Sequence, residues 1–425
     1  MSKTISAVHK EILPNGLVVL TEPMEYFHSV SVGIWVRSGS RGEPPELNGI
    51  SHFIEHMVFK GTLRRTAEDI AREVDRVGGM LDAFTAKEMV CFNTRVLDEH
   101  LPKTFDVLAD LVLEPKFAGE DIEREKSVVI EEIRMTQDNP EDLVHELFTQ
   151  NFWSPHALGK PILGTPETVS SFTRETLRAW FQECYAPNNL VVTAAGHLTH
   201  AQMMDLVSSR FSKLAPAREH ASETAPQPVS HITLRTKNEL EQVHICIGVP
   251  ALPLTDRRRF VVSVLNNVLG GGMSSRLFQN IRERLGLAYA IFSEMNSYRD
   301  AGMLSVYAGT SLETAEQLVR CVLEEFRRLK DDPLDEEELQ RAKDHLKGAT
   351  LLSLEGTGSR MNSLARYHLY FNRHFTPEEL IAMLESVTVE EVQQVAHDLF
   401  QPGRLAASVV GALNGFKLTP EQLRF

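Results

Sequence analysis

Apolar and polar residues follow two periods along the chain, and each change of period marks an element. Near the start, Gly16-Leu17-Val18-Val19-Leu20 and Ser29-Val30-Ser31-Val32-Gly33-Ile34-Trp35-Val36 are apolar and β-branched, which predicts strands within residues 9–38. From Gly49 the period lengthens. Ile50, Phe53, Ile54, Met57 and Val58 recur at helical spacing and predict a helix over this stretch. Thr66, followed by Glu68 and Asp69, predicts the start of a second helix that runs to Val77 and stops at Gly78-Gly79. Residues 80–97 alternate again and predict two strands. Helices are expected over 98–113 and from Asp121 to Arg134. The loop Thr136-Gln137-Asp138-Asn139-Pro140 is expected to separate the latter from a helix restarting at Glu141. A helix over 173–183 and a buried strand at Leu190 to Ala195 follow.

The pattern then breaks. Residues 215–228 contain three prolines and no apolar period, so a linker is expected over 215–231, between domains at 1–214 and 232–425. The halves also resemble each other. Residues 92–113 and 304–325 both read strand, short polar turn, then apolar-periodic helix. The expected fold is α+β: two homologous α/β-sandwich domains, each an antiparallel sheet packed with helices, joined by the Pro-rich linker.

Composition narrows the class. With 42% hydrophobic and 24% charged residues the chain is globular, and its longest apolar runs are far too short to span a membrane. The stretch Met1-Ser2-Lys3-Thr4-Ile5-Ser6 has no apolar core of a secretory signal, so a cytoplasmic protein without a membrane partner is expected. The four cysteines form no C-x-x-C pair, which argues against a disulfide framework or a thiolate zinc site. A net charge of −14 disfavours nucleic acid as a partner.

The helix at residue 50 carries the chemistry. His52 and His56 are four residues apart, on one helical face, with Glu55 beside them in the order H-x-x-E-H. Two imidazoles so placed can grip one zinc ion, and a catalytic zinc needs a third protein ligand and a water. Glu55 is then the candidate general base, taking the proton of a water whose pKa the ion brings to about 7. The glutamates between Glu120 and Glu132 all offer a third ligand, and composition does not choose among them.

This motif, with Gly61-Thr62 close behind, Gly78-Gly79 and the later glutamates, resembles the pitrilysin/insulinase family of zinc peptidases. The similarity is greatest to its short-chain branch, which includes the mitochondrial processing peptidase. The resemblance implies a zinc endopeptidase with one Zn2+ per chain. It makes Glu132, 76 positions after His56, the third ligand, and Glu125, seven residues earlier on the same helix, the partner that orients a ligating group. It also assigns Leu81-Asp82-Ala83-Phe84-Thr85 to an edge strand that receives the peptide, with Asp82, Ala83 and Phe84 against substrate; the family commonly has Asn where Asp82 stands. Arg282 and Tyr289, seven apart in Arg-Glu-Arg-Leu-Gly-Leu-Ala-Tyr, match a pair that serves the substrate from the second domain. Asp142 and Glu146 occupy the positions that face a basic residue beside the cut, although a solvated acidic helix face is the other reading of that pair. A homodimer enclosing a chamber, acting on unfolded or presequence-like peptides, is the further implication. The rival reading is a non-catalytic peptide-binding or scaffold subunit of the same family.

Overall fold

The β-branched runs of the first half form β1 (His9–Ile12), β2 (Val18–Pro23) and β3 (Ser29–Val36) in the computed structural model, which describes residues 7–216 and 224–424. The expected linker residues 217–223 lie outside the described residues. Next come α1 (Ile50–Val58) and α2 (Ala67–Asp75), the latter opened by a reciprocal cap between Thr66 and Asp69. The hairpin β4 (Met80–Thr85) and β5 (Val90–Leu97) leads to α3 (Leu101–Leu113), α4 (Gly119–Asp138) and α5 (Pro140–Phe152). Then follow α6 (Pro166–Ser171), α7 (Arg174–Cys184), β6 (Leu190–Gly196) and α8 (His200–Phe211). The second half starts with β7 (Ile232–Thr236), β8 (Val243–Ala251) and α9 (Arg259–Gly270), then a π-helical segment (Phe278–Arg284). It continues through β9 (Ala290–Ser297), β10 (Gly302–Thr310), α10 (Leu312–Asp331), α11 (Glu336–Ser353) and α12 (Thr357–Phe371). It closes with α13 (Pro377–Glu385), α14 (Val389–Leu399) and β11 (Ala406–Gly411).

The loop expected over 136–140 is corrected by the structure, since α4 runs through Asp138 and only Asn139 leaves the helical path. Thr136, Gln137 and Asp138 contain no helix breaker, and Pro140 restricts only the residue before it. Asn139 there accepts a hydrogen bond from Glu141 N at 3.1 Å, capping α5 with proline in its first turn.

The first sheet has the order β1-β2-β6-β3-β5-β4 and the second β7-β11-β8-β10-β9. Without β1 the two match strand for strand. β2 runs parallel to β6 as β7 does to β11, and the remaining pairs are antiparallel in both. The halves thus share one topology. The expectation of antiparallel sheets is amended in one respect, because β6 runs parallel to β2 and β11 to β7.

Two compact units result, and each includes a segment of the other half of the sequence. The unit with the first sheet takes Ser353–His374, hence α12; the unit with the second sheet takes Met135–Gly159, hence α5. The contiguous division at 214 and 232 differs from these units in those two segments. The strands supply the reason: β3 and β6 are apolar and buried along almost their whole length, so both faces of each sheet require a cover. On one face of the first sheet, Val19, Val32, Ile34 and Val192 pack with Phe53 of α1, Leu108 of α3 and Val207 of α8. On its other face, Val18, Leu20, Trp35 and Val191 meet Met361, Leu364 and Ala365 of α12. In the second unit, Cys246, Met303 and Val410 likewise meet Leu143, Val144 and Phe148 of α5.

Candidate metal centre

Helix α1 starts at Gly49, whose φ of +94° and close approach to Leu163 O (2.6 Å from an added Cβ) exclude a side chain. Its first amide groups are met by a carboxylate. Buried Glu43 accepts from Gly49 N at 2.7 Å, Ser51 N at 2.8 Å and Asn48 Nδ2 at 3.2 Å. Burial pushes the Glu43 carboxyl up to about 7, against the pull of these donors. Ile50, Phe53, Ile54 and Met57 are fully buried, which fixes the rotation of α1 and with it the face bearing His52, Glu55 and His56.

Glu132 of α4 meets that face. Its Oε2 lies 3.7 Å from His52 Nε2 and 3.5 Å from His56 Nε2, and the two imidazole centroids are 4.6 Å apart. Among the described residues this is the one group of three His, Cys, Asp or Glu side chains whose ligand atoms converge, all within 4.8 Å of one another. Ligands about 2.1 Å from a tetrahedral ion are about 3.4 Å apart, so the donor set suits zinc in both chemistry and span. Burial, with His56 alongside, lowers the His52 pKa to about 3 and keeps its ring neutral, as a ligand must be. His52 Nδ1 is buried and has no hydrogen-bond partner among the described residues. His56 differs: its Nδ1 is 2.9 Å from Glu125 Oε1. Burial opposes protonation of His56, but the hydrogen bond to Glu125 and the charges of Glu132, Glu125 and Glu55 outweigh it. Burial likewise pushes the Glu125 carboxyl up, and His56 and Lys60 outweigh that to hold it below the usual carboxylate range. Neighbouring Glu131 and Glu123 are paired along α4 with Arg134 and Lys126.

Glu55 accepts a 2.5 Å hydrogen bond from Thr85 Oγ1 at the end of β4. Burial raises the Glu55 carboxyl above its usual range, with Thr85 and His56 pulling it back. β4 is the edge of its sheet and, among the described residues, pairs only with β5. Leu81 and Ala83 pack toward the core that contains α1, whereas Phe84, 39% exposed, lies edge-on to Trp35 with 5.8 Å between centroids. By strand alternation Asp82 shares Phe84's face, opposite Thr85, and its charge adds to the effects that raise the Glu55 carboxyl.

The remaining expected residues belong to the other unit. Arg282 stands in the π-helical segment, its guanidinium 4.5 Å from the ring centroid of Phe278 and 5.4 Å from that of Tyr289. Tyr289 is 80% exposed. Asp142 and Glu146 lie one turn apart on α5, and between them His145 Nδ1 is 3.1 Å from Glu294 Oε1.

Three residues without an expected role join the site. Thr85 had a visible place in the strand but a partner 30 positions away; Lys60 had a visible spacing, one turn beyond His56; Glu43 had no local signal.

The profile described as Insulinase (Peptidase family M16) matches residues 18–166, and that described as Peptidase M16 inactive domain matches 171–346. An uncharacterized zinc protease of Bacillus subtilis, YmxG, is 41% identical over 387 residues, covering 91% of this chain and 94% of that one. One from Streptomyces coelicolor is 38% identical over 416 residues, covering 96% and 90%. In fold the chain is similar to a protease from Helicobacter pylori, with TM-score 0.88 and 20% identity, covering 95% and 99%. A Pseudomonas fluorescens structure described as a peptidase M16 inactive domain gives 0.89 and 19%, covering 95% and 98%. The chain belongs to the insulinase family, peptidase family M16.

Proposed function

We propose that this protein is a zinc endopeptidase that cuts unfolded or presequence-like peptides, with one zinc ion per chain. The observation that carries this reading is the convergence of His52, His56 and Glu132 beside a carboxylate, Glu55, held by its own hydrogen bond. His52, His56 and Glu132 would hold the zinc ion, which when bound would supply a Lewis acid and an acidified water. Glu55 accepts the water's proton and passes it to the leaving amine. The free edge of β4, around Ala83, offers backbone groups to an extended peptide as its next strand. Arg282 and Tyr289 serve the substrate and its developing oxyanion in this reading, and Asp142 and Glu146 favour a basic residue near the cut; both assignments rest on the motif resemblance. So does the homodimeric chamber of the processing-peptidase branch.

The test is cleavage of a mixed peptide library, read by mass spectrometry, with zinc content measured for wild type and Glu55→Gln. The expected result is cutting by wild type alone, enriched at basic residues, with zinc in both. Zinc in both and cutting by neither would favour a peptide-binding scaffold subunit.

A further inference from the structure

Glu125 has two partners of different kinds. Its Oε1 faces His56 Nδ1 at 2.9 Å and its Oε2 faces Lys60 Nζ at 2.7 Å. The carboxylate side chain is 3% exposed, whereas that of Lys60 is 36% exposed. Lys60 sits in the turn that closes α1, its amide donating to Met57 O at 3.1 Å, four residues past His56. A buried carboxylate with one oxygen unmet is costly and free to rotate away from its single donor. With an ammonium on the second oxygen, the carboxylate plane is fixed at both ends, and the direction in which it accepts from His56 is fixed too. His52 has no such support among the described residues, where its Nδ1 is buried without a partner. Among the described residues, the hydrogen bond that orients the His56 ring comes from one carboxylate, and that carboxylate meets one lysine.

We infer that Lys60 is a positioning residue of the metal centre, acting through Glu125 to hold the His56 ring with Nε2 toward the ion. This rests on the zinc reading above. A bare charge effect predicts the opposite sign: an ammonium beside a cation site repels the cation, so its removal would tighten binding. Positioning predicts that removal loosens it. The sign of the change separates the two.

The experiment is zinc affinity by competition with a chromophoric chelator, on the full chain, for wild type, Lys60→Met, Lys60→Arg, Glu125→Gln and the Lys60→Met/Glu125→Gln double variant. Circular dichroism confirms that each is folded. Lys60→Met should weaken zinc binding about tenfold or more, the range for loss of support behind a ligating histidine. Lys60→Arg, which keeps a donor for Oε2, should recover most of it. In the Glu125→Gln background, Lys60→Met should add no more than about a twofold change, because its route is already cut. Unchanged or tighter binding by Lys60→Met, or equal weakening in both backgrounds, overturns the inference. A wild type that shows this pattern yet cuts no peptide would instead defeat the peptidase reading and leave the role of Lys60 standing.

Discussion

Thr85 Oγ1 donates to Glu55 Oε2 at 2.5 Å, so the edge strand β4 also fixes the candidate general base. A hydrogen bond to a charged group contributes about 1.5–3 kcal/mol. Thr85→Val should therefore lower kcat by about ten- to a hundredfold, with zinc content unchanged. Thr85→Ser should retain most of the activity. An unaltered kcat in Thr85→Val would mean that Glu55 needs no such support.

The choice of third ligand can be tested within one helix. Glu131 and Glu132 are adjacent on α4, but only Glu132 approaches both imidazoles, while Glu131 is turned to Arg134. Glu132→Gln should lose zinc on dialysis and lose peptide cleavage; Glu131→Gln should keep both. Chelator treatment of wild type should abolish cleavage, and added zinc should restore it. Zinc retained by Glu132→Gln would remove that residue from the ligand set.

These two cases show what a sequence makes visible. His52, Glu55 and His56 were legible because their geometry is set within one turn of one helix, where spacing alone decides which side chains share a face. Glu125 and Glu132 share a face of α4 by the same logic, yet nothing local said that α4 would lie against α1, and family resemblance was needed to choose them. Thr85 and Lys60 act on partners 30 and 65 positions away, across elements whose packing no periodicity encodes. The exchange of α5 and α12 was hidden for a related reason. An apolar helix face states that it will be buried, but not under which sheet. The duplicated topology was legible because it is written in contiguous sequence.

One helix–sheet contact carries a titratable group. Arg37 Nη2 donates to His368 Nε2 at 3.0 Å, which requires that ring nitrogen to be unprotonated. Burial, together with the charges of Lys10 and Arg37, lowers the His368 pKa from 6.5 to about 4. The unfolded chain therefore binds this proton more readily than the folded one between those values. The stability from neutral His368 is present in full above about pH 6.5 and is lost as the pH falls toward 4. The change corresponds to about 3 kcal/mol at most. Urea unfolding at pH 4.5 and 7.5 should show a smaller loss on acidification for His368→Gln than for wild type. Equal losses would mean that His368 does not titrate in this way.

The exchanged helix makes the first sheet depend on residues far beyond the linker. Leu364 and Met361 of α12 are both 2% exposed, packed on Val18, Leu20, Trp35 and Val191. Leu364→Ala should destabilise this unit by about 2–5 kcal/mol, as deletion of a buried leucine does. Hydrogen exchange should then rise in β2, β3 and β6, which belong to the other half of the sequence. A fragment of residues 1–214 goes further, since it retains α1, β4 and Glu132 but leaves that apolar face bare. It should associate or aggregate and show no peptidase activity, although every residue of the triad is present. Supplying residues 353–374 as a separate peptide should improve its solubility, and Trp35 fluorescence should shift toward the blue as the face is covered. A fragment that stays monomeric, with Trp35 buried and cleavage intact, would show that the first sheet does not need the helix lent by the second half.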